Sequence, residues 1–238
     1  MTYGKESEIN MINNTIKEFN KKRYPGDFGY KNLDLVKFKI VRKLIGRRLR
    51  KKIYDCACGD GTLGKMLIED GHEVYGGDIS EGALKIAAKK GLKIFKVDLE
   101  NEELPFNAET FDVVCACEIL EHIYDTDRFL QKLRKILKAN GSLIITTPNT
   151  LSLGRRIYYL LGKGIYFDRS LRGIQAGHIR YFTKGTLIQL LKENGFRPNL
   201  FLSDFVILRR SGFPRSRMLA KLFPTLGKSL ILLSSKVD

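Results

Sequence analysis

Apolar and polar positions change period repeatedly along this chain, and the changes mark out alternating strands and helices. A short apolar run begins at Ile53, and Leu63–Glu69 then takes helical spacing. Further apolar runs at Glu73–Gly77, Lys93–Val97 and Phe111–Ala116 read as strands, and Gly141–Thr147 reads as a fifth. Between them lie helical segments with recognisable ends. Ser80 caps Glu81–Lys90 and Gly91 stops it; Asp125 or Thr126 caps Asp127–Lys138, which ends at Asn140-Gly141; Thr183 caps Lys184–Asn194, stopped by Gly195. Strands near Asn199–Leu208 and Leu230–Ser234 close the series. Strands alternating with helices predict a doubly wound, mostly parallel α/β sheet.

Three segments stand outside that alternation. Residues 1–52 read as an N-terminal basic helical cap before a domain spanning 53–238. Within the cap Ile9–Phe19 has helical spacing, Tyr24-Pro25-Gly26 breaks it, and Leu33–Leu49 carries an apolar stripe of Leu33, Val36, Ile40, Leu44 and Ile45. Residues 149–180 form an insertion after strand five, too long for a plain connection, with Leu151–Leu161 helical. Residues 209–227 alternate between basic and apolar positions, as a packed excursion or a lipid-touching surface would.

The most specific chemistry sits where the first strand turns. In Asp55-Cys56-Ala57-Cys58-Gly59-Asp60-Gly61, small residues at every second position let a backbone approach a bound molecule closely. Acids recur at the ends of the next strands, Asp78 and Asp98, and the fourth strand runs into Cys117-Glu118-Ile119-Leu120-Glu121-His122. In open α/β sheets ligands bind beyond such carboxyl ends.

This succession resembles the class I S-adenosylmethionine-dependent methyltransferases, especially the small-molecule branch that includes ubiquinone-biosynthesis and glycan methyltransferases. The turn at 55–61 stands where that family usually has Asp-x-Gly-x-Gly-x-Gly, with Ala57 departing from the first glycine. Phe111-Asp112-Val113-Val114 with Glu118–His122, and Gly141–Asn149, match its fourth- and fifth-strand signatures. The resemblance covers about residues 50–200 and implies a seven-stranded Rossmann-like sheet with S-adenosylmethionine as cofactor. It implies that Gly59, Gly61 and Ala57 approach the donor, with Asp55 at its ammonium group. Asp78 would take the ribose diol and Asp98 the adenine amino group. Ile79, Leu99, Cys117 and Glu118, beside those acids or at the fourth strand's end, complete the expected donor contacts. A competing pattern, Gly59-x-Gly61-x-x-Gly64, is the dinucleotide fingerprint, but it leaves Asp55, Asp98 and Glu118 without a task.

Methyl transfer rests mainly on alignment, and a hydroxyl acceptor also benefits from a base. Of three histidines, His72 reads as structural and His122 as scaffold, while His178, after the insertion, is the candidate base or acceptor-positioning group. Arg155, Arg156, Arg180 and Tyr181 are the candidate acceptor contacts.

Composition adds two points. The four cysteines form two Cys-Ala-Cys pairs, 56/58 and 115/117, inside strands, which suits buried small residues in a reducing cytosol; no metal site is expected. The N-terminus carries no signal-peptide h-region, so a cytoplasmic location is expected. Net charge is +16, and residues 139–238 hold sixteen Lys/Arg against four Asp/Glu. Such a field gathers anionic partners. It fits an anionic or lipid-linked small-molecule acceptor and peripheral contact with an anionic membrane. RNA is the runner-up acceptor, disfavoured because no Asn/Asp-Pro-Pro-Tyr element or aromatic platform accompanies the basic residues. A non-catalytic donor-binding module is the third reading.

Overall fold

A computed structural model describes residues 32–162, 178–207 and 214–237. The segment Ile9–Phe19, residues 163–177 of the insertion and residues 209–213 at the start of the excursion lie outside those residues.

The elements, in chain order, are α1 (Asn32–Ile45), β1 (Lys52–Cys56), α2 (Thr62–Glu69), β2 (Glu73–Asp78), α3 (Glu81–Lys89), β3 (Lys93–Lys96) and β4 (Phe111–Cys117). A 3₁₀ turn (Leu120–His122), α4 (Thr126–Ile136), β5 (Leu137–Pro148), α5 (Leu153–Leu160), α6 (Lys184–Glu193) and β6 (Phe196–Leu202) follow. The series closes with β7 (Val206–Ile207), β8 (Arg215–Ser216), α7 (Arg217–Leu222), a second 3₁₀ turn (Pro224–Leu226) and β9 (Ser229–Lys236).

Seven strands form one sheet in the order β3-β2-β1-β4-β5-β9-β6. β9 runs antiparallel to both neighbours, and the pairings among β1–β5 are all parallel. Strand order reverses between β1 and β4, the topological switch point at which such sheets bind ligands. Side-chain alternation builds a core on each face. Tyr54, Val114 and Leu143 point to one, covered by Leu130, Leu133 and Ile136 of α4 and Leu187 and Leu191 of α6. Ile53, Val113 and Ile144 point to the other, where Phe38, Val41 and Ile45 of α1 pack with Leu63, Leu67, Leu84 and Ala87 of α2 and α3.

The predicted caps form. Ala83 N–H donates to Ser80 Oγ, Arg128 N–H to Asp125 Oδ1, and Thr183 makes a reciprocal capping box with Thr186. Gly91 and Gly195 take positive φ just beyond their helices.

Four boundaries differ from expectation. α1 ends at Ile45, not Leu49, because Gly46 turns the chain at φ 74°. α4 ends at Ile136, and β5 starts at the next residue; Asn140, at φ 60°, sits inside β5 where its register with β4 shifts. The expected strand at 199–208 is two elements. Phe196–Leu202 joins the main sheet, whereas Val206–Ile207 pairs, among the described residues, with Arg215–Ser216 alone. Asp204 makes the break, its buried carboxylate accepting from Phe205 N–H, Ser229 N–H and Ser229 Oγ. α5 starts two residues late, at Leu153.

Candidate active site

The carboxyl edge of β3-β2-β1-β4 carries a row of acids on an otherwise basic chain. Asp55 lies in β1, Asp78 ends β2, Asp98 follows β3 by two residues, and Glu118 follows β4 directly. Parallel pairing is the reason: strands in one direction deliver their ends to one side.

Asp55 is 2% exposed. Burial, with the nearby Asp78 and Asp60 charges, pushes its carboxyl up to about 8. A cation arriving there would offset the cost of ionising it. Asp78 is buried as well, and burial raises it although backbone N–H donors oppose the shift. Its Oδ2 accepts from Gly59 N–H at 2.9 Å and its Oδ1 from Ser80 N–H at 2.9 Å. Each carboxylate oxygen has a second lone pair, so capacity for a diol remains. Asp98 accepts from Glu100 N–H and the Asn101 side chain. The Asp98–Glu102 turn is fixed from beneath by Lys132, whose Nζ donates to the carbonyls of Leu99, Glu100 and Glu102.

Between β1 and α2 the backbone takes left-handed values at Ala57 (φ 59°), Gly59 (φ 54°) and Gly61 (φ 75°). Ala57 therefore stands where glycine costs least. At Gly61 a Cβ would lie 2.8 Å from that of Ala87, so packing against α3 by itself demands a glycine there. Cys117 is buried at the end of β4, Leu99 is buried beside Asp98, and Ile79 is half-buried after Asp78.

Glu118 is held in the left-handed region, at φ 54°. Its Oε1 accepts from Thr146 Oγ1, and its Oε2 lies 2.7 Å from Lys37 Nζ of α1. Burial works to raise its pKa, but the Lys37 charge and the hydrogen bonds from Lys37 and Thr146 hold it below the usual carboxylate value. One turn on, Glu121 is 1% exposed; its Oε2 accepts from Thr147 Oγ1 and its Oε1 makes no hydrogen bond. Burial, then the Glu118 charge, pushes Glu121 up to about 8.

His178 meets this group from the far side. Its Nε2 lies 3.8 Å from Glu121 Oε1, and its ring meets that of His122 edge-on at 4.9 Å. The 178–182 segment is tied in place: Ile179 and Arg180 N–H donate to Glu121 O, and Phe182 bridges to Asn149 beyond β5. Tyr181 stands edge-on to His178 at 6.4 Å. Arg180 is tied to the chain around the 3₁₀ turn. Its Nε and Nη2 donate to the carbonyls of Ile123 and Tyr124, so its fork braces the chain. Arg155 and Arg156 likewise donate to Asn149 O and Leu151 O, within the insertion's own first turn. His72 is structural as expected, bonded to Gly46 O and Lys51 N–H. All four cysteines are buried and unbridged, and burial raises every thiol, as core residues require.

Lys37, Thr146, Thr147 and Lys132 escaped the sequence reading. The threonines had a signal, two hydroxyls at the end of a strand beside an acid-rich turn. Nothing in spacing ties position 37 to 118.

Residues 54–145 match the family described as a methyltransferase domain. The mitochondrial ubiquinone biosynthesis O-methyltransferase of Rattus norvegicus is 37% identical over 157 residues, 60% of this chain and 44% of that protein. A Ruegeria pomeroyi ubiquinone biosynthesis O-methyltransferase is 28% identical over 200 residues, 82% of this chain and 76% of that protein. The chain carries a class I S-adenosylmethionine-dependent methyltransferase domain. The match to the rat protein spans less than half of that relative's length. Solved methyltransferases share the fold. Burkholderia thailandensis 1,6-didemethyltoxoflavin-N1-methyltransferase, with bound 1,6-didemethyltoxoflavin and S-adenosylhomocysteine, superposes with a TM-score of 0.64 at 18% identity, covering 98% of this chain and 90% of that one. A Mesorhizobium loti S-adenosylmethionine-dependent methyltransferase gives 0.63 at 18% identity, covering 86% and 100%. With a methyltransferase domain matched over 54–145, the dinucleotide pattern at 59–64 falls away.

Proposed function

We propose that this domain methylates an oxygen of a small polar or lipid-linked acceptor, a sugar or a quinone precursor, with S-adenosylmethionine as donor. The observation that carries the reading is the pairing of two acid groups across the sheet's switch point. Asp55, Asp78 and Asp98 suit a donor with an ammonium, a diol and an amino group. Glu118, Glu121 and His178 stand on the next strand's side, where an acceptor would meet it. The ubiquinone O-methyltransferase names of the relatives support oxygen as the acceptor atom.

When bound, the donor supplies a methyl carbon already activated by a sulfonium. The chain's own residues bind and align. Asp55 receives the ammonium, Asp78 the diol, and the backbone at Ala57 and Gly59 approaches closely. Ile79, Leu99 and Cys117 line the same edge. With an acceptor hydroxyl held in line with that methyl group, its proton would leave toward the His178–Glu121 pair.

The charge distribution supports an anionic acceptor or surface. On α7 and just beyond it, Met218, Leu222 and Phe223 are exposed beside Arg217 and Lys221, a mixture that suits the headgroup boundary of a bilayer. Among the described residues no helix is long and apolar enough to cross a membrane.

The test is calorimetric titration with S-adenosylhomocysteine, followed by turnover on a prenylated catechol and on a phosphorylated sugar. Micromolar donor binding, about −8 kcal/mol, is expected. Binding of a nicotinamide dinucleotide with none of S-adenosylhomocysteine would overturn the reading.

A further inference from the structure

The turn that follows β3 is gripped twice by α4 and its leading residues, and the second grip reaches the acceptor side. Lys132, in the middle of α4, donates to the carbonyls of Leu99, Glu100 and Glu102. Just before α4, the N–H groups of Tyr124 and Asp125 donate to the Glu100 carboxylate, at 2.8 and 2.9 Å. We propose that Glu100 is a positioning residue that joins the donor's adenine turn to the acceptor segment 178–182, so that a bound donor firms the segment that receives the acceptor. The inference rests on the donor reading given above and adds a coupling to it.

Three observations converge. First, the clamp is not ordinary helix capping. Asp125 already caps α4, its Oδ1 accepting from Arg128 N–H. The Tyr124 and Asp125 N–H groups precede the helix, and Glu100 takes them from 24 and 25 residues away in sequence. Two short bonds to one carboxylate fix its direction as well as its position. Second, Glu100 is bonded to the expected adenine acid by its own backbone, its N–H donating to Asp98 Oδ1 at 3.1 Å. Asp98 and Leu99 are buried, so an adenine that engages them bears on the whole turn. Third, Tyr124 passes the contact on. Its carbonyl accepts from Arg180 Nη2, and Ile123 O accepts from Arg180 Nε at 3.1 Å. Ile179 N–H and Arg180 N–H in turn donate to Glu121 O, which sets the 178–182 segment against the 3₁₀ turn.

The links differ in how firmly they are held. Lys132 is buried, whereas Tyr124 is 50% exposed and its contacts with Glu100 and Arg180 lie at the surface. Surface hydrogen bonds compete with water and open at small cost. The donor-free protein therefore samples a state in which the 178–182 segment is loose while the sheet stays closed. A donor that binds the clamped turn better than the loose one shifts that balance, and only by its difference in affinity for the two. Linkage makes the effect reciprocal: an acceptor that holds 178–182 in place raises donor affinity by the same factor. Donor binding thus prepares the acceptor side before the acceptor arrives.

The experiment is amide hydrogen exchange of the full chain, with and without S-adenosylhomocysteine, its binding followed in parallel by calorimetry. In the wild type the ligand should slow exchange of the Ile179 and Arg180 amides by about fivefold or more, the low end of usual coupling between sites. Glu100→Ala should still bind S-adenosylhomocysteine but lose that slowing, and Glu100→Gln, which keeps one acceptor oxygen, should restore part of it. Glu103→Ala, on the same turn but with its carboxylate facing Arg128, should respond like the wild type. Full slowing in Glu100→Ala, equal loss in Glu103→Ala, or no slowing in a wild type that binds the ligand would overturn the coupling. Should Glu100→Ala fail to fold, Arg180→Met cuts the same path one bond later and carries the same expectation. A wild type that binds no S-adenosylhomocysteine overturns the donor reading itself, and the coupling falls with it.

Discussion

Lys37 Nζ lies 2.7 Å from Glu118 Oε2, an ion pair that ties α1 to the end of β4 beside the switch point. Lys37 is almost wholly buried while Glu118 keeps about a third of its side chain exposed, at 5% and 32%. Removing one partner of a fully buried pair costs about 3–5 kcal/mol. Discounting for the exposure of Glu118, Lys37→Met should cost roughly 2 kcal/mol in denaturant unfolding. Because the same change releases Glu118 from its fixed place, S-adenosylhomocysteine affinity should fall too. Unchanged stability and affinity would show α1 to be a passive cover.

Ala57 sits at φ 59°, where a Cβ is strained and glycine is not. Ala57→Gly should raise stability by about 0.5–1 kcal/mol, the left-handed penalty less the entropy glycine loses on folding. The thermal midpoint checks it, and a lower midpoint would refute the strain.

Tyr54 and Gly77 interlock between β1 and β2. Tyr54 Oη is buried without a hydrogen bond, and a Cβ on residue 77 would come within 2.2 Å of it. Tyr54→Phe should be neutral or stabilising by about 1 kcal/mol, because it deletes an unsatisfied polar group. Gly77→Ala should destabilise by about 1–3 kcal/mol through overpacking. The double variant should recover part of that loss, a coupling that a double-mutant cycle measures.

Asp55 gives the pH dependence its sign. Its folded value is pushed up to about 8 by burial, from an ordinary 3.8. The folded state therefore binds more protons than the unfolded chain between those values. This contribution to stability is complete below about pH 4 and is lost as pH rises toward 8. Glu121, also pushed up to about 8, adds a slope of the same sign. Asp55→Asn should flatten the decline by about 2 kcal/mol or more between pH 5 and 8. If the donor's ammonium meets Asp55, S-adenosylhomocysteine binding near pH 7 should release about one proton, read from calorimetry in buffers of different ionisation enthalpy. Proton uptake would contradict that contact.

Anionic vesicles should retain the protein better than neutral ones at low ionic strength, and added salt should abolish the difference as the screening length shortens. Met218→Glu and Phe223→Glu should each reduce retention severalfold. Equal retention on both vesicles would leave the basic half without a membrane role.

Much of this molecule was legible because its information is local. Strand-end acids at Asp55, Asp78, Asp98 and Glu118 announced the sheet's working edge, and the caps at Ser80, Asp125 and Thr183 fixed helix starts through bonds spanning three residues. What escaped depends on distant partners. Asn140-Gly141 reads as a helix stop, yet it lies inside β5 because Leu137 already pairs with Phe111. Position 204 reads as mid-strand, yet its carboxylate is claimed by Ser229. Arg180 reads as an anion fork, yet carbonyls 56 and 57 residues away in sequence occupy it.

β9 slots between β5 and β6 although both precede it in the chain. During synthesis, β5 has no antiparallel neighbour and β6 no partner at all until residues 229–236 leave the ribosome. A nascent chain stalled before Ser229 presents bare hydrogen-bonding edges to its neighbours. Ser229 pairs with Pro148, just beyond the threonines that hold Glu118 and Glu121, so the floor beneath the acceptor side is the last part of the sheet to be laid. Closure of the sheet therefore waits on β9, whichever of its other strands have already paired.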